Sequence, residues 1–202
     1  MFNLIRKDIV LQKTTLMIML PLLVVFLFLE DSSIWGEIVF STAIIMNAFS
    51  VDEKSLINTL LNSLPYTRKE IVSSKYIGVF IFMGLVVFTT FVGNLIIHQE
   101  ITIWKDILLI VSLVMVAMSL IFPFSYKLKS QYMLIGTLVL FAIYLVIIPF
   151  FIPNVNDKIR EFVQTLLTLD NTQIYLLIGF SVITLYVGSW LLSIRIYSKK
   201  VF

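Results

Sequence analysis

The chain has no cysteine and a single histidine. The first absence removes disulfide frameworks, thiolate metal sites and cysteine nucleophiles together. The second removes histidine-rich metal centres and histidine-based triads, because His98 stands alone at the edge of an apolar run, where it reads as an interfacial residue. Charge is also scarce: 13% of the 202 residues are charged against 59% hydrophobic, and the mean hydropathy is +1.01. A soluble domain of this size cannot hide so much apolar surface, so most of the chain has lipid as its solvent. No G-x-x-x-x-G-K-[ST] occurs, so no P-loop binds a nucleotide here. No two glycines stand four apart, which excludes the small-residue dimer motif of membrane helices. The sequence pI is about 9.1, but no basic cluster is interleaved with aromatics, so nucleic acid is not a partner. No internal repeat or separate soluble domain is visible. The first apolar run is followed by Glu30 and Asp31 rather than small residues, so it is not a cleavable leader.

What is present is a series of apolar stretches. Four of them, at 76–97, 107–126, 132–152 and 174–194, hold about 20 uncharged residues each, enough to cross a core roughly 30 Å thick. Two shorter stretches, 14–29 and 34–51, precede them. The first reaches about 24 Å as a helix, with Lys13 able to snorkel to the interface. The second is adequate if Glu37 sits at the outer headgroups. A shallow re-entrant hairpin would instead bury Glu30, Asp31 and Glu37, at roughly 2.5–3.5 kcal/mol per acid. Six spans is therefore the expected architecture: an all-α membrane protein forming one transmembrane domain over 1–202.

The basic residues orient it. Twelve of the fifteen Lys and Arg fall on one side: Arg6, Lys7, Lys13, Lys54, Arg68, Lys69, Lys75, Lys127, Lys129, Arg195, Lys199 and Lys200. Only Lys105, Lys158 and Arg160 fall on the other. The positive-inside bias then places both termini in the cytosol.

Residues 2–13 form a short interfacial helix ahead of the first span, with Phe2, Ile5 and Ile9 on one face and Asn3, Arg6, Lys7 and Lys13 mostly opposite. A plain basic anchor is the alternative, and both lie flat on the inner leaflet. The loop at 51–75 is the most specific stretch. Ile57, Leu60, Leu61 and Leu64 make one apolar stripe at i, i+3, i+4 and i+7. Ser55, Asn58, Thr59 and Asn62 lie on the other faces, and Asp52 and Glu53 fall in the first turn, where the helix dipole favours acids. Pro65 ends that helix. Thr67-Arg68-Lys69-Glu70 then fits a capping box that starts a second helix running to Ile97, about 30 residues and 45 Å. A helix projecting beyond the membrane and joined to a short amphipathic one suits the transmission of a push; the same loop can also rest its leucines in the headgroups. At 153–173, Ile159, Phe162, Val163, Leu166 and Leu167 form an amphipathic helix at the outer leaflet, either an outer gate or an interfacial cap.

The spans hold almost no charge. Their polar set is Asn47, Ser50, Thr89, Thr90, Asn94, Ser112, Ser119 and Thr184, of which Asn47, Ser50, Thr90 and Asn94 are the candidates for lining a pathway, with helix bridging as the competing role. Without paired carboxylates at depth there is no acid–base chemistry, and energy must come from elsewhere. The chain is not expected to be an enzyme.

Met1-Phe2-Asn3-Leu4-Ile5-Arg6-Lys7-Asp8 and Leu61-Asn62-Ser63-Leu64-Pro65-Tyr66-Thr67-Arg68-Lys69-Glu70-Ile71-Val72, continuing to Ser74-Lys75-Tyr76, resemble the small bacterial ABC-2 type permeases. The resemblance spans essentially the whole chain. It implies an exporter of the bacterial cytoplasmic membrane in which two permeases, identical or homologous, join separate ABC ATPase subunits that carry the ATP and Mg; this chain holds no cofactor. It also implies an elbow helix at 2–13, including Phe2, Ile5, Arg6, Lys7 and Ile9. By position it further implies a coupling helix at 52–64, with Asp52, Glu53, Ser55, Leu56, Asn58, Thr59, Leu60 and Leu61 as ATPase contacts and Arg68, Lys69 and Glu70 at its exit. The aromatic-rich apolar pathway and the family analogy suit an amphipathic or hydrophobic cargo, such as a peptide, toxin, antibiotic or lipid. The alternative is a non-transporting membrane adaptor or peptide-immunity protein.

Overall fold

The computed structural model describes residues 2–29, 33–54, 66–97, 99, 104–127, 158, 161, 165 and 172–199. Among these every element is a helix: α1 (Phe2–Leu11), α2 (Lys13–Leu29), α3 (Ser33–Lys54), α4 (Arg68–Ile97), α5 (Trp104–Lys127) and α6 (Thr172–Ser198). Three of them are long and apolar enough to cross a membrane: α4, α5 and the Tyr175–Ser198 part of α6. The pair α1 and α2 makes a fourth if their 62° bend lies within one span, and α3 carries a shorter apolar stretch at Gly36–Asn47. The expected stretch at 132–152 and the outer helix at 153–173 lie outside the described residues, apart from Lys158, Glu161, Thr165, Thr172 and Gln173.

Helix α4 is the axis of the packing and touches all five other helices. Its sequence explains why. Val72, Tyr76, Val79, Met83, Val86, Thr90 and Gly93 are buried at alternating spacings of four and three, a continuous seam along one face. Thr90 can sit in that seam because its hydroxyl donates back to the Val86 carbonyl (3.0 Å). At Gly93 the seam is tight, since a Cβ there would stand 2.6 Å from Leu27 Cδ1 of α2 and that methyl would have to shift. The helix ends at Ile97, and Gln99 takes left-handed backbone (φ 56°) that cannot continue it.

Lipid-facing surfaces are apolar in the manner of a membrane protein. Leu176, Leu177, Phe180, Leu191 and Leu192 of α6 are exposed, as are Met17, Ile18, Leu22 and Val25 of α2. Glu37 departs from expectation. It is packed inside, with only 1% of its surface accessible, and does not project toward headgroups. It lies one residue from Gly36, where the Phe26 ring presses against α3, so close packing of α2 and α3 encloses it.

Proline shapes the α4–α5–α6 junction. Pro123 has no N–H, so the carbonyl of Ser119, four residues earlier, loses its helical donor. The Ser189 hydroxyl of α6 supplies one at 2.6 Å. Ser189 also meets the Tyr76 hydroxyl (2.8 Å), which pairs with Ser193 as well (2.8 Å), and Tyr186 donates to the Tyr76 carbonyl (2.8 Å). The Tyr76 ring packs edge-on against Phe122 and Tyr186. Ser189→Ala should therefore cost about 1–3 kcal/mol in denaturant unfolding in micelles. Adding Pro123→Ala should recover part of that loss, since an alanine N–H can serve the Ser119 carbonyl.

Candidate functional site

The helix ends that share a charge sign come together. Lys75 of α4 pairs with Asp8 of α1 (2.8 Å), and Arg68 reaches the end of α6. Tyr126 of α5 meets Tyr197 of α6, with ring centroids 5.3 Å apart. Arg6, Lys7, Arg68, Lys69, Lys75, Lys127, Arg195 and Lys199 thus belong to one end of the bundle, hereafter the basic end. At the other end Trp104 of α5 packs on Tyr175 of α6 (5.6 Å), and Lys105 lies over the same ring.

Three contacts build the basic end. The first is the start of α4. Thr67 N–H donates to Glu70 Oε2 (2.9 Å), Glu70 N–H donates to Thr67 Oγ1 (3.2 Å), and the threonine hydroxyl donates to the same carboxylate (2.9 Å). This is the expected capping box, formed in full. The backbone bond from Thr67, followed by its hydroxyl bond, holds the Glu70 carboxyl below the ordinary carboxylate range.

The second contact was not legible as such. Arg68 Nη1 donates to the carbonyls of Ser198 (2.6 Å) and Tyr197 (3.3 Å), so it caps the final turn of α6. Carbonyls there have no intrahelical donor and carry the negative end of the helix dipole, which suits a guanidinium. Arg68 is thus committed to α6, while its neighbour Lys69 stays exposed.

The third is the Asp8–Lys75 pair, with Asp8 3% and Lys75 7% exposed and Lys7 also 3.0 Å from Asp8. Leu4 and Asp8 of α1 and Gln12 at the bend are buried at spacings of four, and form the face that meets the bundle. The expected two-sided elbow therefore has a third, inward face. Phe2 and Ile9 are exposed and Ile5 is half-buried, which leaves the apolar stripe turned mainly outward. Gln12 Nε2 donates to the Ile44 carbonyl of α3 (2.9 Å), fixing the bend against a third helix.

The other expected site residues separate. Helix α3 continues through Lys54, so Asp52 and Glu53 belong to α3 and not to the first turn of a separate helix. Nothing between Ser50 and Lys54 breaks a helix, which is the physical reason. Ser55, Leu56, Asn58, Thr59, Leu60 and Leu61, and the Ser50 side chain, lie outside the described residues. Asn47 accepts from Thr15 of α2 (3.4 Å), the bridging role, near the bend. Thr90 is fully buried and bonded to its own helix, and Asn94 is half-buried one turn further on. Asn47 therefore stands toward the basic end and Thr90 and Asn94 toward the opposite one, so these residues do not gather into one site. Among the described residues no group of His, Asp or Glu is placed to hold a metal ion.

A family model described as ABC-2 family transporter protein matches residues 3–198. The chain belongs to the ABC-2 transporter family. No curated protein and no solved structure matches it. As an ABC-2 protein with several apolar helices, it is an integral membrane permease of an ABC transporter, and membership implies association with an ABC ATPase. In this permease the basic end is held by ion pairs and caps that link α1, α4 and α6. Asp8→Asn should destabilise it by about 3–5 kcal/mol, because Lys75 is left buried without its carboxylate. Lys75→Met should cost less, since Lys7 remains beside Asp8, and the double variant should be milder than Asp8→Asn alone. A double-mutant cycle of unfolding in detergent measures all three.

Proposed function

We propose that this permease is the membrane subunit of an ATP-driven exporter of the bacterial cytoplasmic membrane, with six spans and the basic end in the cytosol. Its translocation pathway forms with a second permease, and its energy comes from separate ATPase subunits that hold the ATP and Mg. The chain itself performs no chemistry. The observation that carries this reading is the bracing of α4 at its basic end. A helix of 30 residues, capped at Thr67 and Glu70, is tied to α1 through Lys75 and to α6 through Arg68. A push delivered at the connection between α3 and α4 then reaches three helices together. That connection, 55–65, with Asp52 and Glu53 before it and exposed Lys69 after it, is the proposed ATPase contact, and Leu60 and Leu61 are its apolar core. The cargo is amphipathic or hydrophobic, in keeping with the uncharged, aromatic-rich helices.

Co-expression with a cognate ABC ATPase should yield a stable complex whose ATP hydrolysis depends on this connection. Leu60→Asp with Leu61→Asp should abolish assembly or coupled hydrolysis; unchanged assembly and activity would remove the coupling assignment. Recovery of the permease from native membranes with no ATPase attached would favour the adaptor or immunity role. Orientation has its own check, because the chain lacks cysteine. Single cysteines at Ser63 and Asn171 should react with impermeant reagents from opposite sides, and labelling from one side would sink the six-span topology.

A further inference from the structure

The 62° bend between α1 and α2 opens a groove of about 520 Å³, lined by Ile9, Val10, Lys13, Met17, Leu20 and Pro21 among others. A second, shallow surface depression of about 330 Å³, lined by Asn3, Arg6, Lys7 and Val10, adjoins it through Val10. Both are open toward the surface, so a molecule lying there keeps one side against the surrounding lipid or water.

The residues along these cavities are ordered. Asn3, Arg6, Val10, Lys13, Met17 and Leu20 alternate in steps of three and four, so they trace one face across the bend. The first part of that face carries Asn3, Arg6 and Lys13 around Val10, and the part beyond Lys13 is wholly apolar. Val10 and Met17, each 62% exposed, mark its two halves. Such a gradient matches a single amphiphile lying along it with its headgroup toward Arg6.

The sign of the headgroup follows from where the one acid of α1 goes. Asp8 points away from this face and is buried against Lys75, so among the described residues of α1 and α2 no carboxylate opposes an anion there. Lys7 is drawn to Asp8 at 3.0 Å, while Arg6 and Lys13 are exposed on the stripe. Basic side chains at a membrane surface favour anionic over zwitterionic lipid.

We propose that the elbow groove binds one anionic phospholipid of the inner leaflet, its phosphate held by Arg6 and Lys13 and one acyl chain laid against Met17, Leu20 and Pro21. The proposal rests on the proposed placement of the basic end in the cytosol, and is independent of how an ATPase meets the α3–α4 connection.

The test uses the full chain reconstituted in vesicles of equal phosphatidylglycerol and phosphatidylcholine, gently re-extracted and weighed by native mass spectrometry. One phosphatidylglycerol per chain should be retained in preference to phosphatidylcholine. Arg6→Gln with Lys13→Gln should lower that retention at least about tenfold. Met17→Trp, which fills the apolar half and keeps both charges, should lower it too, and decides the matter if the charge variant does not fold. Equal retention of the two lipids, or retention untouched by these variants, overturns the site. Displacement by soluble glycerol phosphate would mean that a headgroup alone binds, and also overturns it. Rapid disulfide formation between two copies carrying Val10→Cys would place a second chain in the groove instead of a lipid. Cysteine scanning at Ser63 and Asn171 reports on orientation separately, so a failed groove and a failed topology are told apart.

Discussion

Lipid offers a backbone no hydrogen bonds, and one orphaned carbonyl therefore helps tie three of the described helices together. Pro123 withholds the N–H that Ser119 needs, and the nearest cure is a hydroxyl from another helix. Because Ser189 provides it while also meeting Tyr76, the rotation of α6 is set against α5 and α4 at the same point. Tyr186, Ser193 and the Trp190–Ser73 bond (3.1 Å) extend the same junction by a turn to either side. Helix α4 touches all the other described helices, so its placement passes to the remainder of the described structure.

A second constraint acts where the bundle meets water. A buried carboxylate and a buried ammonium tolerate each other only together, and Asp8 with Lys75 satisfies that condition across α1 and α4. The pair has two consequences. It ties α1 to α4, and it leaves the outer face of α1 cationic. Arg68 adds a clasp on α6 from the residue that follows the capping threonine.

Several features were legible because they depend on neighbours in the chain. The capping box at Thr67–Glu70, the unbroken run of α4 to Ile97 and the gathering of basic helix ends all follow from local spacing or from the transfer cost of charge. The role of Arg68 was not, because its acceptors lie about 130 residues away and carbonyls leave no mark in a sequence. Asp8 did carry a faint signal as the lone acid among the cations of α1, and Pro123 another, since any proline within a helix orphans the carbonyl four residues back. Asn47, Thr90 and Asn94 looked alike as polar residues in apolar stretches, yet their partners and depths differ. Composition cannot tell a bridging amide from a pathway-lining one.

The sequence by itself determined that this chain lives in lipid, that its helices divide into a basic and a less basic end, and that it carries no nucleotide or metal motif. Transfer free energies of apolar and charged side chains decide these matters without reference to any partner. Only the tertiary structure decided which polar groups answer one another: Asp8 with Lys75, Arg68 with the end of α6, Ser189 with Ser119, and Glu37 enclosed beside the contact of α2 with α3. Those pairings depend on distances between helices remote in sequence, which the packing of side chains around α4 sets.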